Sequence, residues 1–320
     1  MPKTALSDAD SRPAMRRYSG GFIGEEKGAK AFTFTAPANH TIPVVIAAPH
    51  GGRHYPEAVQ SNLRDPEYCS LRLEDRYVDA LAQEVARLSG AGLLVAHAPR
   101  AMLDLNRATD DVDWGMIAGK HSGKTLHSQS NRRARSGLGL VPRRLGGFGE
   151  IWKSAIDQAE LDARIEGIHR PYHEALATEL AQVKDDWGAV LLVDLHSMPP
   201  LRKKFGQEQA AQFVLGDRFG ASCDPSFIGR AFRYFDDQGQ VAAHNRPYAG
   251  GFVLDHHSSP SRGVHAMQLE VCRSIYLDHL MEQPGPELGP LSRSLAGLVR
   301  ELGVQTAQLS QGGTFVLAAE

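Results

Sequence analysis

The chain has 320 residues, a formal net charge of −2, 42% hydrophobic residues and 22% charged residues, enough for one sizeable buried core. That balance gives no global reason to expect nucleic acid or an anionic membrane surface as a partner. The three cysteines, Cys69, Cys223 and Cys272, lie far apart without CxxC spacing, which argues against a disulfide framework and a thiolate zinc site.

The polar N-terminus (residues 1–20) reads as a mobile arm of mixed charge with no apolar core of the secretory type, and the rest (21–320) as a single domain. No apolar run approaches the roughly 18 residues of a membrane span, so a soluble, cytoplasmic location is expected. The first strand signal is the β-branched run from Pro43 to Pro49, which stops at His50-Gly51-Gly52. A helical period follows from Leu73 to Leu88, with Val78, Leu81, Val85 and Leu88 on one face and Glu74-Asp75 at its start. Leu93 to His97 is a further short strand. Gly119 to Gly149 is irregular and rich in Gly, Ser, Arg and His, the pattern of an insertion or long surface loop. Leu161 to Val183 reads as a helix, and Pro171 marks a helix opening within it. Val190 to Leu195 is a buried strand ending at His196-Ser197, residues 264–271 are another, and Leu295 to Leu309 closes the chain as a helix.

Apolar strands alternating with amphipathic helices predict an α/β sandwich around a largely buried sheet. In such sheets ligands bind beyond the carboxyl ends of strands, where His50 and His196 both fall. Each histidine alone reads equally well as a hydrogen-bonded loop-start residue. Two imidazoles and one carboxylate, with a fourth position for water, form a standard catalytic zinc set. Glu74 or Asp75 would supply the carboxylate, and spacing leaves the choice open. Asp194, two residues before His196, shares its face in a strand and can orient its ring.

Glu270 sits in a strand between apolar neighbours, where a carboxylate needs a partner or a raised pKa. That suits a general base that takes a proton from water and returns it to a leaving amine; the structural alternative is an ion pair with Arg273. Arg100 and the segment Asp104-Leu105-Asn106-Arg107 offer forked cations and an amide for a carboxylate-bearing substrate, although taken alone the segment is a weak signal that a loop tie explains as well. Tyr248, in Asn245-Arg246-Pro247-Tyr248-Ala249-Gly250-Gly251, lies on a candidate binding loop, although turn chemistry explains its Pro and Gly as well. His169 and His173 fit either the border of a pocket or, in preference, structural capping.

Taken in order, these segments resemble the N-formylglutamate amidohydrolase family. They are Pro49 to Arg53 with Tyr55-Pro56, Glu74-Asp75 with Val78-Asp79, Asp104 to Arg107, Pro171 to His173 and Asp194 to Ser197. Leu215 to Arg218, Asn245 to Gly251, and Gln268 to Glu270 with Arg273 and Tyr276 complete the set. The resemblance implies a three-layer α/β sandwich with a mixed sheet, of the zinc-exopeptidase or phosphorylase/hydrolase-like plan. It implies a single zinc ion (Zn2+) on His50, Asp75 and His196, with Asp75 favoured over Glu74, and Glu270 as the catalytic carboxylate. Arg100, Asn106, Arg107 and Tyr248 are the expected substrate-binding residues. The implied reaction is hydrolysis of N-formyl-L-glutamate to formate and glutamate, a late step of histidine degradation, with a small acyl amino acid as partner and no nucleic acid or membrane.

Some features depart from that pattern. His54-Tyr55-Pro56-Glu57 spells a metallocarboxypeptidase HxxE spacing and would move the metal to His54 and Glu57. Asp255-His256-His257-Ser258 replaces the Tyr-Gly expected after the Gly-Gly loop, and the 119–149 insertion is foreign to the family core. A zinc deacylase or peptidase acting on another N-acyl amino acid or small amide is therefore the enzymatic rival. A nucleic-acid module using Arg132, Arg133, Arg135, Arg143 and Arg144, or a metal-free binding scaffold, is the rival from another class. No GxSxG elbow supports a serine hydrolase.

Overall fold

The apolar runs form the centre of one eight-stranded sheet in the computed structural model, which describes residues 14–24, 28–119, 132–203 and 209–316. The first part of the chain gives β1 (Met15–Gly20), β2 (Phe32–Pro37), β3 (Val44–Ala48), α1 (Glu57–Asn62), α2 (Pro66–Leu73), α3 (Val78–Ser89) and β4 (Gly92–Ala96). The middle gives α4 (Arg132–Arg135), a hairpin of β5 (Arg144–Leu145) and β6 (Gly149–Glu150), α5 (Gln158–Arg164), α6 (Arg170–Trp187) and β7 (Val190–Met198). The remainder is β8 (Phe213–Gly216), α7 (Pro225–Asp237), β9 (Ala242–His244), α8 (Phe252–His257), β10 (Val264–Cys272), α9 (Arg273–Tyr276) and α10 (Leu288–Val316).

Strand order is β1-β2-β4-β3-β7-β10-β8-β9. The four central strands, β4, β3, β7 and β10, run parallel, while β2 and β8 pair antiparallel to them. The period-two pleat divides the core into two layers. Val44, Ile46, Leu191, Val193, Leu195, Met267, Leu269 and Val271 pack with Leu81 and Val85 of α3, Phe227 of α7 and Leu295 of α10. Val45, Ala47, Val190, Leu192 and Ala266 pack on the other face with Leu176, Leu180 and Val183 of α6. The molecule is thus a three-layer α/β sandwich with a mixed, largely buried sheet.

The same alternation puts Asp194, His196, Gln268 and Glu270 on the α6 face, opposite Leu195 and Leu269. The parallel β7–β10 register sets Glu270 directly beside His196, and Gln268 beside Asp194. His196 lies inside β7 rather than beyond it, because that strand continues to Met198.

Several expectations need correction. Part of the predicted arm is a strand: Met15–Gly20 pairs with β2, and residues 1–13 lie outside the described residues. Arg16 and Tyr18 fasten it to α6 by donating to the buried Glu179 carboxylate, at 3.0 and 2.6 Å from Arg16 and 2.9 Å from Tyr18. The 119–149 insertion holds a short helix and a two-residue hairpin, with residues 120–131 outside the described set. The helix expected from Leu73 begins only at Val78, after Tyr77 adopts φ +55°. This break frees the Asp75 N–H to donate to the His50 carbonyl at 3.0 Å.

The helix expected over 161–183 is interrupted by a π-helical segment, Ile165–His169. Pro171 has no N–H for the Gly167 carbonyl, and the Phe22 N–H supplies the missing donor at 2.8 Å. The shift turns His169 and His173 inward, where they hydrogen-bond the Arg107 and Leu105 carbonyls at 2.8 and 3.0 Å. His173 Nδ1 also meets His257 Nε2 of α8 at 2.9 Å. These two histidines tie three segments together rather than cap a helix.

Burial pushes the pKa values of His169 and His173 down and that of His257 to about 3. Below the ordinary histidine pKa of about 6.5 the unfolded chain therefore takes up protons that the folded chain excludes. For His257 this lowers stability by about 1 kcal/mol per pH unit over that window, and His169 and His173 act in the same direction. The urea midpoint should fall between pH 7 and pH 5, and His257→Gln should flatten that fall. An equally steep fall in the variant would contradict this account of the cluster.

Candidate functional site

The carboxyl ends of β3, β7 and β10 open into a cleft of about 320 Å³. Its lining includes all eight residues expected from the sequence: His50, Asp75, Arg100, Asn106, Arg107, His196, Tyr248 and Glu270. His50 stands in the turn just after β3. Gly52 lets this turn pass under the end of β4, since a Cβ there would collide with the Ala98 carbonyl oxygen and the His97 backbone.

One ligand atom each from His50, Asp75 and His196 lies within 4.8 Å of the others, and all three residues are buried. His196 Nδ1 is 3.0 Å from Asp75 Oδ2, and His50 Nδ1 is 3.7 Å from the same oxygen. At that distance His50 Nδ1 has no hydrogen-bond partner among the described residues, although it is buried. The opposite nitrogens are held by further carboxylates, His50 Nε2 by Asp104 at 2.7 Å and His196 Nε2 by Asp194 at 2.9 Å. Both rings thus turn Nδ1 toward one point, as metal-binding imidazoles do when carboxylates hold their other nitrogens.

Electrostatics favour positive charge at that point. Burial alone would raise the Asp75 carboxyl, but hydrogen bonding to His196 and the His50 imidazole hold it well below the usual carboxylate range. Burial likewise opposes a charged His196, yet Asp194 and Asp75 raise its pKa well above the ordinary value. Asp104, also buried, is held low by Arg100 and Arg107. An orphaned buried nitrogen beside a second imidazole and a carboxylate is a donor set that fits a divalent cation such as zinc.

Glu74, adjacent in sequence to Asp75, turns away and accepts from Arg76 at 2.9 Å, which separates the acidic pair. His54 and Glu57 of the HxxE spacing do not line the cleft. Burial raises the Glu270 carboxyl to about 7, against the lowering effect of His196, and its Oε1 accepts from Gln268 at 2.8 Å. Arg273 is not its partner. That guanidinium donates to Asp75 Oδ1 at 3.1 Å and to Ser197 Oγ at 3.0 Å, fixing the carboxylate from behind.

Arg100 donates to Asp104 Oδ2 at 3.0 Å, and Arg107 to the Leu138 carbonyl at 3.1 Å. Asn106 Oδ1 accepts from the Val253 N–H at 2.9 Å, and a Cβ on Gly251 would come within 2.6 Å of that oxygen. The side chain therefore anchors the Gly250-Gly251 loop. Burial raises the Tyr248 pKa, so its hydroxyl stays protonated as a donor. Asp255 of the altered segment pairs with Arg218 at 2.6 Å. Arg143 bridges Asp113 and Glu150 at 2.7 and 2.5 Å, and Arg144 approaches Glu150 at 3.1 Å.

Sequence reasoning did not assign the partners Asp104 and Arg273, or the cleft-lining Arg72, Ser197 and Gln268. Asp104 had a local signal, since it opens the Asp-Leu-Asn-Arg segment; its pairing with His50 spans 54 positions and had none.

The N-formylglutamate amidohydrolase family profile matches residues 42–277. The N-formylglutamate deformylase of Pseudomonas aeruginosa is 30% identical over 264 residues, covering 82% of this chain and 91% of that protein. The Pseudomonas putida enzyme of the same name is 30% identical over 240 residues, covering 74% and 82%. The crystal structure of N-formylglutamate amidohydrolase from Ralstonia eutropha JMP134 superposes with a TM-score of 0.75 at 30% identity, covering 88% of this chain and 99% of that one. The chain belongs to the N-formylglutamate amidohydrolase family.

Proposed function

We propose that this chain hydrolyses N-formyl-L-glutamate to formate and L-glutamate in the cleft at the carboxyl end of the sheet. The observation that carries the reading is the convergence of His50 Nδ1, His196 Nδ1 and the Asp75 carboxylate beside Glu270, in a chain of this family. His50, Asp75 and His196 would hold one divalent ion, zinc in our reading. When bound, it would supply the positive charge that polarises the formyl carbonyl and acidifies water.

Glu270 is the general base. A carboxyl group poised near neutrality accepts a proton from the attacking water and returns it to the amide nitrogen as the C–N bond breaks. Formate keeps the water oxygen, and the amine leaves protonated. Asp104, Asp194 and Arg273 are positioning residues: they hold the two rings and the Asp75 carboxylate. Arg107 and Arg100 bind a carboxylate of the amino acid, Tyr248 donates to the substrate, and Asn106 sets the loop that carries Tyr248.

No helix among the described residues is long and apolar enough to cross a membrane. A cytoplasmic location belongs to the same reading and is supported by the three buried free cysteines.

Glu270→Gln should lower kcat by about 10²- to 10⁴-fold, the usual weight of a general base, while zinc content per chain by mass spectrometry stays at the wild-type level. Wild-type turnover in this variant would remove Glu270 from the mechanism. Chelation should abolish formate release, zinc should restore it, and His196→Ala should lose both metal and activity. Full activity in protein shown to be metal-free would overturn the metal assignment. The stripped protein should also unfold at lower temperature, because the ion binds only the folded state.

A further inference from the structure

Four guanidinium groups line the cleft: Arg72, Arg100, Arg107 and Arg273. Three of them lie near carboxylates. Arg100 is 3.0 Å from Asp104, Arg273 is 3.1 Å from Asp75, and Arg107 is 3.8 Å from both Asp104 and Asp111. Arg72, in the last turn of α2, is exposed, and no carboxylate among the described residues pairs with it. Its guanidinium carbon lies 5.9 Å from the centre of the Tyr68 ring one helical turn earlier, a cation–π contact that leaves the hydrogen-bonding edge of the fork open. Tyr68 in turn stacks on Phe148, the rings 4.8 Å apart and 22° from parallel. Phe148 lies in the β5–β6 hairpin, whose Leu145 forms part of the cleft wall. The insertion thus braces the side of the cleft where Arg72 carries its unpaired charge.

We propose that Arg72 is a specificity residue that binds the side-chain carboxylate of an acidic acyl amino acid, with the β5–β6 hairpin holding it at the cleft wall through Tyr68. The inference rests on the hydrolase reading above, but concerns the choice of amino acid rather than the bond broken. A planar fork without an internal partner loses no ion pair when a carboxylate arrives, so its full hydrogen-bonding capacity is available to the ligand. Cations already paired with buried acids add less, because the substrate must compete for them.

The test compares N-formyl-L-glutamate with N-formyl-L-glutamine, which matches it in size and lacks the charge. Arg72→Gln should raise KM for the glutamate derivative roughly 10- to 100-fold, the weight of one charge-assisted contact. Its kcat should change little, the glutamine derivative should lose far less, and Arg72→Lys should recover part of the preference. Binding of both compounds to the Glu270→Gln protein, with and without Arg72→Gln, gives the same comparison without turnover. Equal losses on both compounds, or no loss, would overturn the assignment of Arg72 while leaving the hydrolase reading intact. Arg72-dependent preference for the diacid with no formate released by the wild type would sustain Arg72 and overturn the reaction.

Discussion

Much of this structure follows from burying acids around two imidazoles. Asp75, Asp104, Asp194 and Glu270 are each no more than 6% exposed, in a region where an unpaired charge is costly. Arg100 and Arg273 offset part of that charge through Asp104 and Asp75. The remaining negative charge is concentrated where His50 and His196 turn Nδ1 toward each other, and only protons or a cation can satisfy it. The same charge distribution holds Asp75 ionised and leaves Glu270, which has no cationic partner at hydrogen-bond distance among the described residues, poised near neutrality.

The surrounding architecture keeps those groups in register. The pleat of β7 and β10 brings Asp194, His196, Gln268 and Glu270 to one face, and parallel pairing fixes Glu270 beside His196. The break between α2 and α3, with Tyr77 in the left-handed region, lets Asp75 reach inward while its N–H caps the His50 carbonyl. On the far side, the π-helical segment before Pro171 and the histidines it turns inward hold the Leu105 and Arg107 backbone. A shift in any of these elements would spread the converging nitrogens.

The strands and the groups that end them were legible from sequence because they depend on local pattern. His50 follows an apolar run, His196 and Asp194 share a strand period, and Glu270 stands out as an acid between apolar neighbours. The choice between Glu74 and Asp75 was not legible, since neighbouring residues face apart and only the helix break decides which turns inward. Partners far apart in sequence, such as Asp104 for His50, Arg273 for Asp75 and Glu179 for Arg16, leave no periodic trace. The arm expected over residues 1–20 failed in part for that reason: β1 has an exposed face and depends on a carboxylate more than 160 positions away. Pro171 was a visible signal, but a proline reads as a helix start unless another segment is known to supply the missing donor.

The chemistry of the cleft depends on His50, Asp75 and His196 binding one ion. Anomalous diffraction at the zinc edge from crystals of the zinc-loaded protein measures this directly. A single strong peak within bonding distance of His50 Nδ1, His196 Nδ1 and an Asp75 oxygen, about 2.0–2.2 Å for such ligands, is the predicted result. A peak at His54 and Glu57, or no peak in the cleft of fully loaded protein, would contradict it.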